Sequence, residues 1–289
     1  MKKNSILISL LLCFSLLVLG CERSGGPSSA NSNVYLKQGP SLLDTALVDP
    51  VNPADSAQGI SLVQVLLFNG IGTSVSDWKS LEQILRSMGI TYRLVNSASL
   101  NAINSTALEN FKMILIPGGN SNDINQALTL STKIKVRQAV RDSGLGFLGI
   151  CAGAYAAVGV DSASNSTAYY GFAVAQGDYL KHWYPNGNTS LIAAVSKVSF
   201  ADGSSRSLIW WDGPATPEWT GGVVARYPGG QPAISQTWTG AGFVTVSGPH
   251  PEAPASWQYT AGPDPDGTDY DIAKKLILST LNRQALPAF

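Results

Sequence analysis

Three side chains in this sequence have the types needed for nucleophilic catalysis. Cys151 stands in Gly149-Ile150-Cys151-Ala152-Gly153. His250 and Glu252 stand in Gly248-Pro249-His250-Pro251-Glu252. A thiol attacks a carbonyl well only when a base removes its proton, and an imidazole serves best when a carboxylate fixes its tautomer. Small residues on both sides of Cys151 suit a tight strand-to-helix turn that lifts the nucleophile clear of the backbone. The N-terminus of the helix that follows favours a thiolate. A buried structural cysteine on a Gly/Ala-rich helix fits the same letters, and the pairing with a later His-Pro-Glu makes the catalytic reading more specific. His182, among aromatics in Tyr179–Pro185, reads as a surface or packing histidine.

The elements that must position these groups alternate. Leu62–Phe68, Thr91–Val95, Phe111–Ile116 and Leu145–Ile150 are short apolar runs of the kind buried parallel strands need. Between them, Ser76–Gly89 and Ser131–Gly144 have helical patterning, with Ser76 as expected N-cap and Gly89 and Gly144 as stops. A short helix is expected after Cys151. This order predicts an α/β fold, a flavodoxin-like three-layer sandwich with a mainly parallel central sheet. In such sheets chemistry gathers at the carboxyl ends of strands, where Gly118–Gly119, Cys151 and His250 all fall. From Ala168 to Val246, short β-rich segments separated by Gly, Pro and Asn predict extra hairpins. Asp269–Gln284, "DYDIAKKLILSTLNRQ", predicts a closing helix, capped by Thr268 or Asp269.

The first residues read as an export signal. Lys2 and Lys3 precede the apolar run Ile6–Leu19, and Val18-Leu19-Gly20-Cys21 resembles a bacterial lipobox. Residues 1–20 are then a lipoprotein signal peptide, Cys21 the lipidated residue, and 21–58 a flexible Ser/Asn/Pro/Gly-rich tether with a reach of about 30–35 Å. The expected location is the bacterial cell envelope, lipid-anchored to a membrane. Cys13 leaves with the signal and Cys21 is acylated, so Cys151 has no disulfide partner.

Lys plus Arg and Asp plus Glu each number 19, so no basic field points to nucleic acid. Hydrophobic residues make up 44 % and charged ones 13 %, enough for a sizeable core in residues 59–289, the expected single domain. No zinc-ligand spacing and no Walker-type loop occurs, so neither metal nor cofactor is expected. Gly262–Asp271 has the spaced aspartates of a calcium loop but lacks its closing glutamate, and reads as a turn. Trp210, Trp211 and Trp219, with Asp212 and Glu218, either wall a substrate cleft or pack a core.

Together, "FLGICAGAYAA", "ILIPGGN" and "SGPHPEA" resemble the class I glutamine amidotransferase-like superfamily. Within it, "GICAGAY" and "WWDGPA" resemble the N-terminal domain of some biotin–protein ligases, which also occurs alone in bacteria. The resemblance spans Leu62 to Leu286. It implies Cys151 as nucleophile, His250 as general base and acid, Glu252 as its orienting partner, and the N–H groups of Gly119 and Ala152 as oxyanion donors. Asn120, Tyr155, Trp211 and Asp212 are the further candidates for contact with an amide substrate. Family members that bind glutamine carry a His-Gln pair where this chain has Ala154 and Tyr155. No synthetase or ligase domain accompanies the domain. The expected activity is cleavage or transfer at an amide through a thioester; the alternatives are a non-catalytic envelope binding module and a thiol redox sensor.

Overall fold

The computed structural model describes residues 63–160 and 171–289. The signal-like stretch, Cys21, the tether and Leu62 lie outside the described residues, as do 161–170. The chain begins with β1 (Val65–Phe68), α1 (Val75–Ser87), β2 (Tyr92–Val95), α2 (Ser97–Ala102), α3 (Ser105–Glu109) and β3 (Met113–Ile116). Then come α4 (Ser121–Ala127), α5 (Leu130–Ser143), β4 (Gly146–Ile150), α6 (Ala152–Ala157) and a small parallel ribbon of β5 (Val158–Gly159) and β6 (Ala175–Gln176). The second half holds β7 (Ala193–Phe200), β8 (Ser205–Trp211), β9 (Val223–Arg226), β10 (Pro232–Thr239), β11 (Gly242–Ser247), α7 (Gln258–Ala261) and α8 (Tyr270–Asn282).

The helix signals are local. α1 is capped by Ser74, not Ser76: the Asp77 N–H donates to Ser74 Oγ at 3.5 Å. The Ser76 hydroxyl instead accepts from Trp257 Nε1 at 3.2 Å. α2, α3 and α4, which have little apolar periodicity, each start at an asparagine cap, Asn96, Asn104 and Asn120. α5 ends at Gly144, whose φ of +79° is the left-handed stop the sequence implied. Asp269 precedes α8 without a side-chain capping bond. Asp264–Gly267 is a turn, closed by the Gly267 N–H on the Asp264 carbonyl at 3.2 Å.

One nine-stranded sheet runs β2-β1-β3-β4-β11-β10-β9-β7-β8. The first five strands pair in parallel, in the 2-1-3-4-5 order of doubly wound sheets. Alternate strand residues feed two cores. Val65, Leu67, Met113 and Leu115 face α1 and α8, with Leu81, Ile84, Leu276 and Ile277. Leu66, Phe68, Ile114 and Ile116 join Val136, Val140 and Phe147 on the other side.

The sheet is mixed rather than mainly parallel. β11-β10, β10-β9, β9-β7 and β7-β8 are all antiparallel. The reason is connection length: β7–β8 and β10–β11 are joined by tight turns, which permit only antiparallel neighbours. These hairpins are not additions to the sheet but its second half, and β10, unmarked by clean alternation, links them to β11. This half also curls. By ladder order β8 lies five strands from β4, about 24 Å if flat. Yet the thiol of Cys151, just past β4, donates to the Trp211 carbonyl of β8 at 3.5 Å. The narrow β7–β9 join, at Ser199–Arg226 and Phe200–Ala225, permits the bend.

The elbow after β4 is packed backbone to backbone. A Cβ on Gly153 would lie 2.0 Å from the Ile116 carbonyl oxygen of β3. Gly153→Ala is therefore expected to destabilise the fold by about 2–3 kcal/mol, the cost of overpacking a rigid site; urea unfolding at constant m-value measures it.

Candidate active site

Four strand ends converge. The loop after β1 runs through Ser74 into α1. The turn after β3 is Gly118-Gly119. Cys151 follows β4, and the Pro249–Glu252 loop follows β11. β4 and β11 are in parallel register, Ile150 opposite Ser247. The Cys151 N–H extends that ladder, donating to the Ser247 carbonyl at 2.8 Å. A pairing between neighbours in the sheet thus places thiol and imidazole on one edge although they lie far apart in sequence.

Cys151 has φ 49° and ψ −103°, a positive-φ conformation that few non-glycine residues adopt. Such strain in a strand-to-helix turn is what presents a nucleophile. Ala152 opens α6, so its N–H is among those the helix leaves without an internal partner. Gly119 bridges Thr73 through the Ser74 N–H to Gly118 O (3.0 Å) and the Asn120 N–H to Gly72 O (2.7 Å). In such a bridge the N–H of Gly119 itself points away from the ladder. Its φ of +144°, with a Cβ position 2.0 Å from the Gly72 oxygen, requires glycine.

His250 is buried. Its N–H donates to the Ile209 carbonyl at 2.7 Å, tying the loop to β8. Its Nδ1 lies 2.9 Å from Glu252 Oε1 and 3.2 Å from Asp77 Oδ1. Its Nε2 has no hydrogen-bond partner among the described residues. The Trp257 ring meets the imidazole edge to face at 5.0 Å and Trp211 at 4.9 Å. Burial opposes a charge on His250, but the Glu252 carboxylate, the Cys151 sulfur and the contact with Asp77 outweigh it and hold the imidazole well above its ordinary pKa. Glu252 is pushed up to about 7, first by burial and then by Asp77, against the pull of His250.

Ser74, Asp77, Gly119, Cys151, Trp211, His250 and Trp257 line one cleft of about 10 Å³. That volume admits about one water molecule. Of the expected residues, Cys151, His250, Gly119 and Trp211 line this cleft, Glu252 reaches it through His250, and Ala152 follows Cys151 without lining it. Asn120 spends its side-chain oxygen capping α4, at 3.0 Å from the Asn122 N–H. Tyr155 and Asp212 form a separate cluster with His182 beside the elbow. The Tyr155 hydroxyl is 2.7 Å from His182 Nδ1, and Asp212 Oδ1 is 3.2 Å from the same nitrogen. The hydrogen bond to Asp212 raises the His182 pKa, and burial raises that of Tyr155; His182 itself is exposed, the surface histidine that its sequence context suggests. Trp210 is core, while Glu218 pairs with Arg226 and Trp219 donates to the Gln176 carbonyl, so neither joins the cleft.

Ser74, Asp77 and Trp257 are the members that sequence patterning missed. Asp77 is fully buried, and neither carboxylate oxygen accepts a hydrogen bond among the described residues; its ion-pair contact is His250 Nδ1 at 3.2 Å. A Cβ on Gly118 would sit 2.3 Å from Asp77 Oδ1 and 2.6 Å from His250 Cε1, so glycine there makes the His–Asp contact possible. Position offered a signal: Asp77 lies in the first turn of the helix after β1, at the sheet edge where sites gather. Ligand atoms of Asp77, His250 and Glu252 all lie within 4.8 Å of one another, a spacing that suits a cation as well as a shared proton.

Trp257→Ala is expected to destabilise by about 3 kcal/mol and to open the cleft. Alkylation of Cys151 by a bulky maleimide should then accelerate at least about tenfold, more than by iodoacetamide, as read by mass spectrometry of the intact protein.

Residues 63–165 match the family model described as "Biotin-protein ligase, N terminal". The match takes in Gly118–Gly119 and Cys151 and ends before His250 and Glu252. No curated protein matches the chain by sequence. Among solved structures, a glutamine amidotransferase aligns with a TM-score of 0.50 at 18 % identity, over 75 % of this chain and 98 % of that one. The protein SMU.1228c aligns with a TM-score of 0.48 at 12 % identity, over 76 % and 99 %. The chain therefore has the fold of a glutamine amidotransferase, with residues 63–165 similar to the N-terminal biotin–protein ligase family.

Proposed function

We propose that the protein is a cysteine-dependent amide hydrolase or amidotransferase-like enzyme. The observation that carries this is a strained thiol-bearing elbow facing an imidazole whose Nε2 is free and whose Nδ1 is held by a carboxylate 2.9 Å away. His250 takes the thiol proton as sulfur adds to the amide carbonyl. The N–H groups of Gly119 and Ala152 receive the oxyanion, each contributing on the order of 3 kcal/mol to barrier reduction. The C–N bond breaks as His250 returns the proton to the leaving amine. Water then adds to the thioester, giving its proton to His250, and the carboxylic acid leaves as the thiol is restored. The lipobox-like segment supports an envelope location with Cys21 acylated and the domain tethered to a membrane.

One observation favours a second reading. A cavity of about 10 Å³ admits a peroxide more readily than an amide. A redox sensor would form a sulfenic acid: thiolate attacks one peroxide oxygen, and hydroxide leaves.

The deciding experiment follows Cys151 alkylation against pH in wild type and His250→Ala, then turnover on a panel of primary and peptide amides. The hydrolase reading expects rapid alkylation below the ordinary thiol pKa of about 8.5, lost in His250→Ala. It expects turnover to fall at least about 10³-fold in Cys151→Ser and only about 10- to 100-fold in Glu252→Gln. An active Cys151→Ser enzyme overturns it. Peroxide oxidation indifferent to His250, with no amide turned over, favours the sensor.

A further inference from the structure

The carboxylate expected on His250 is Glu252, yet the ring faces two. Asp77 comes from α1, at the opposite wall of the cleft, and approaches the same Nδ1 at 3.2 Å. Three facts mark this as built. Asp77 is fully buried, and neither of its oxygens has a hydrogen-bond donor among the described residues, which leaves His250 Nδ1 at 3.2 Å as its ion-pair contact. An unpaired buried carboxylate costs several kcal/mol unless a cationic or donor group answers it. Gly118 keeps the space between them clear. The other titratable groups facing the ring are Glu252 on its own loop and Cys151 on the elbow; Trp257 and the Ile209 carbonyl complete its surroundings.

We propose that Asp77 is a second positioning carboxylate of the active centre, sharing the Nδ1 proton of His250 with Glu252. This rests on the reading of His250 as the base. Two carboxylates this close do not both ionise easily, so one takes up a proton as pH falls. With Asp77 present, protonation of Glu252 leaves the ring one anionic acceptor. The imidazole keeps its orientation, Nε2 toward Cys151, when Glu252 is neutral. A Cys-His-Glu site with one acceptor would lose that orientation as Glu252, whose pKa lies near 7, took up its proton.

The test reads the ring without turnover. His182 and His250 are the two histidines of the chain, so labelling histidine with ¹³C and ¹⁵N gives two resolvable rings. Titrations are done in the Cys151→Ser background, which removes the thiolate's own effect and any dependence on catalysis. The expected result is that Glu252→Gln still leaves His250 titrating above 6.5, the ordinary value, because Asp77 remains. Asp77→Asn should lower the proton affinity of His250 about tenfold, and Asp77→Glu should recover most of it. The double variant should fall below 6.5, since burial is then unopposed. An unchanged titration in Asp77→Asn overturns the proposal, as does an Nδ1 that carries no proton. Where Asp77→Asn does not fold, Glu252→Gln decides alone: a His250 pKa below 6.5 in that variant overturns it. Absent turnover with these titrations as expected would refute the amidase reading and leave the tetrad standing.

Discussion

The β4–β11 pairing is the constraint on which the rest of the molecule depends. It joins the parallel half of the sheet, which carries Cys151, to the antiparallel half, which carries His250. Parallel register puts both carboxyl ends on one edge, and the Cys151 N–H to Ser247 O bond carries the ladder into the elbow itself. Helices on both faces bury these strands completely, so the register cannot slip by one residue without turning apolar side chains out of both cores. The position of His250 relative to Cys151 is thus a property of the core, not of a loop.

Within that frame the electrostatics are those of a dry site. Glu252, Asp77 and His250 are nearly inaccessible, so each charge is felt by the others with little screening. Trp211 and Trp257 close the site with aromatic faces and no additional charge. The same burial that strengthens these interactions keeps the cleft small.

Much of the parallel half was legible in the sequence, because buried strands are short apolar runs and helices end at glycines such as Gly144. Cys151 and His250 were legible because an elbow needs small residues at fixed offsets. Strand polarity was not. The turns in the second half announce hairpins, but nothing in their letters says that β10 and β11 add to the edge of the parallel sheet. Asp77 was hidden because an aspartate in the first turn of a helix also serves the helix dipole. Its burial arises from Gly118 and His250, far away in the chain. Ser76 reads as a cap by composition, and only the approach of Trp257 reveals its other use. Asn120 is the converse: next to a Gly-Gly turn it reads as a ligand-binding residue, and geometry makes it a cap.

The His250 loop has a second consequence through β8. That strand ends the hydrogen-bonding order of the sheet, and an apolar last strand left uncovered is the kind that recruits strands from other molecules; here the run Leu208–Trp211 is buried. The Ile209 carbonyl is occupied by the His250 N–H, and the Ser207 N–H by Asp266. The segment that carries His250 therefore also covers the last strand of the sheet. Loss of order in this loop would uncover that strand as well as displace the imidazole.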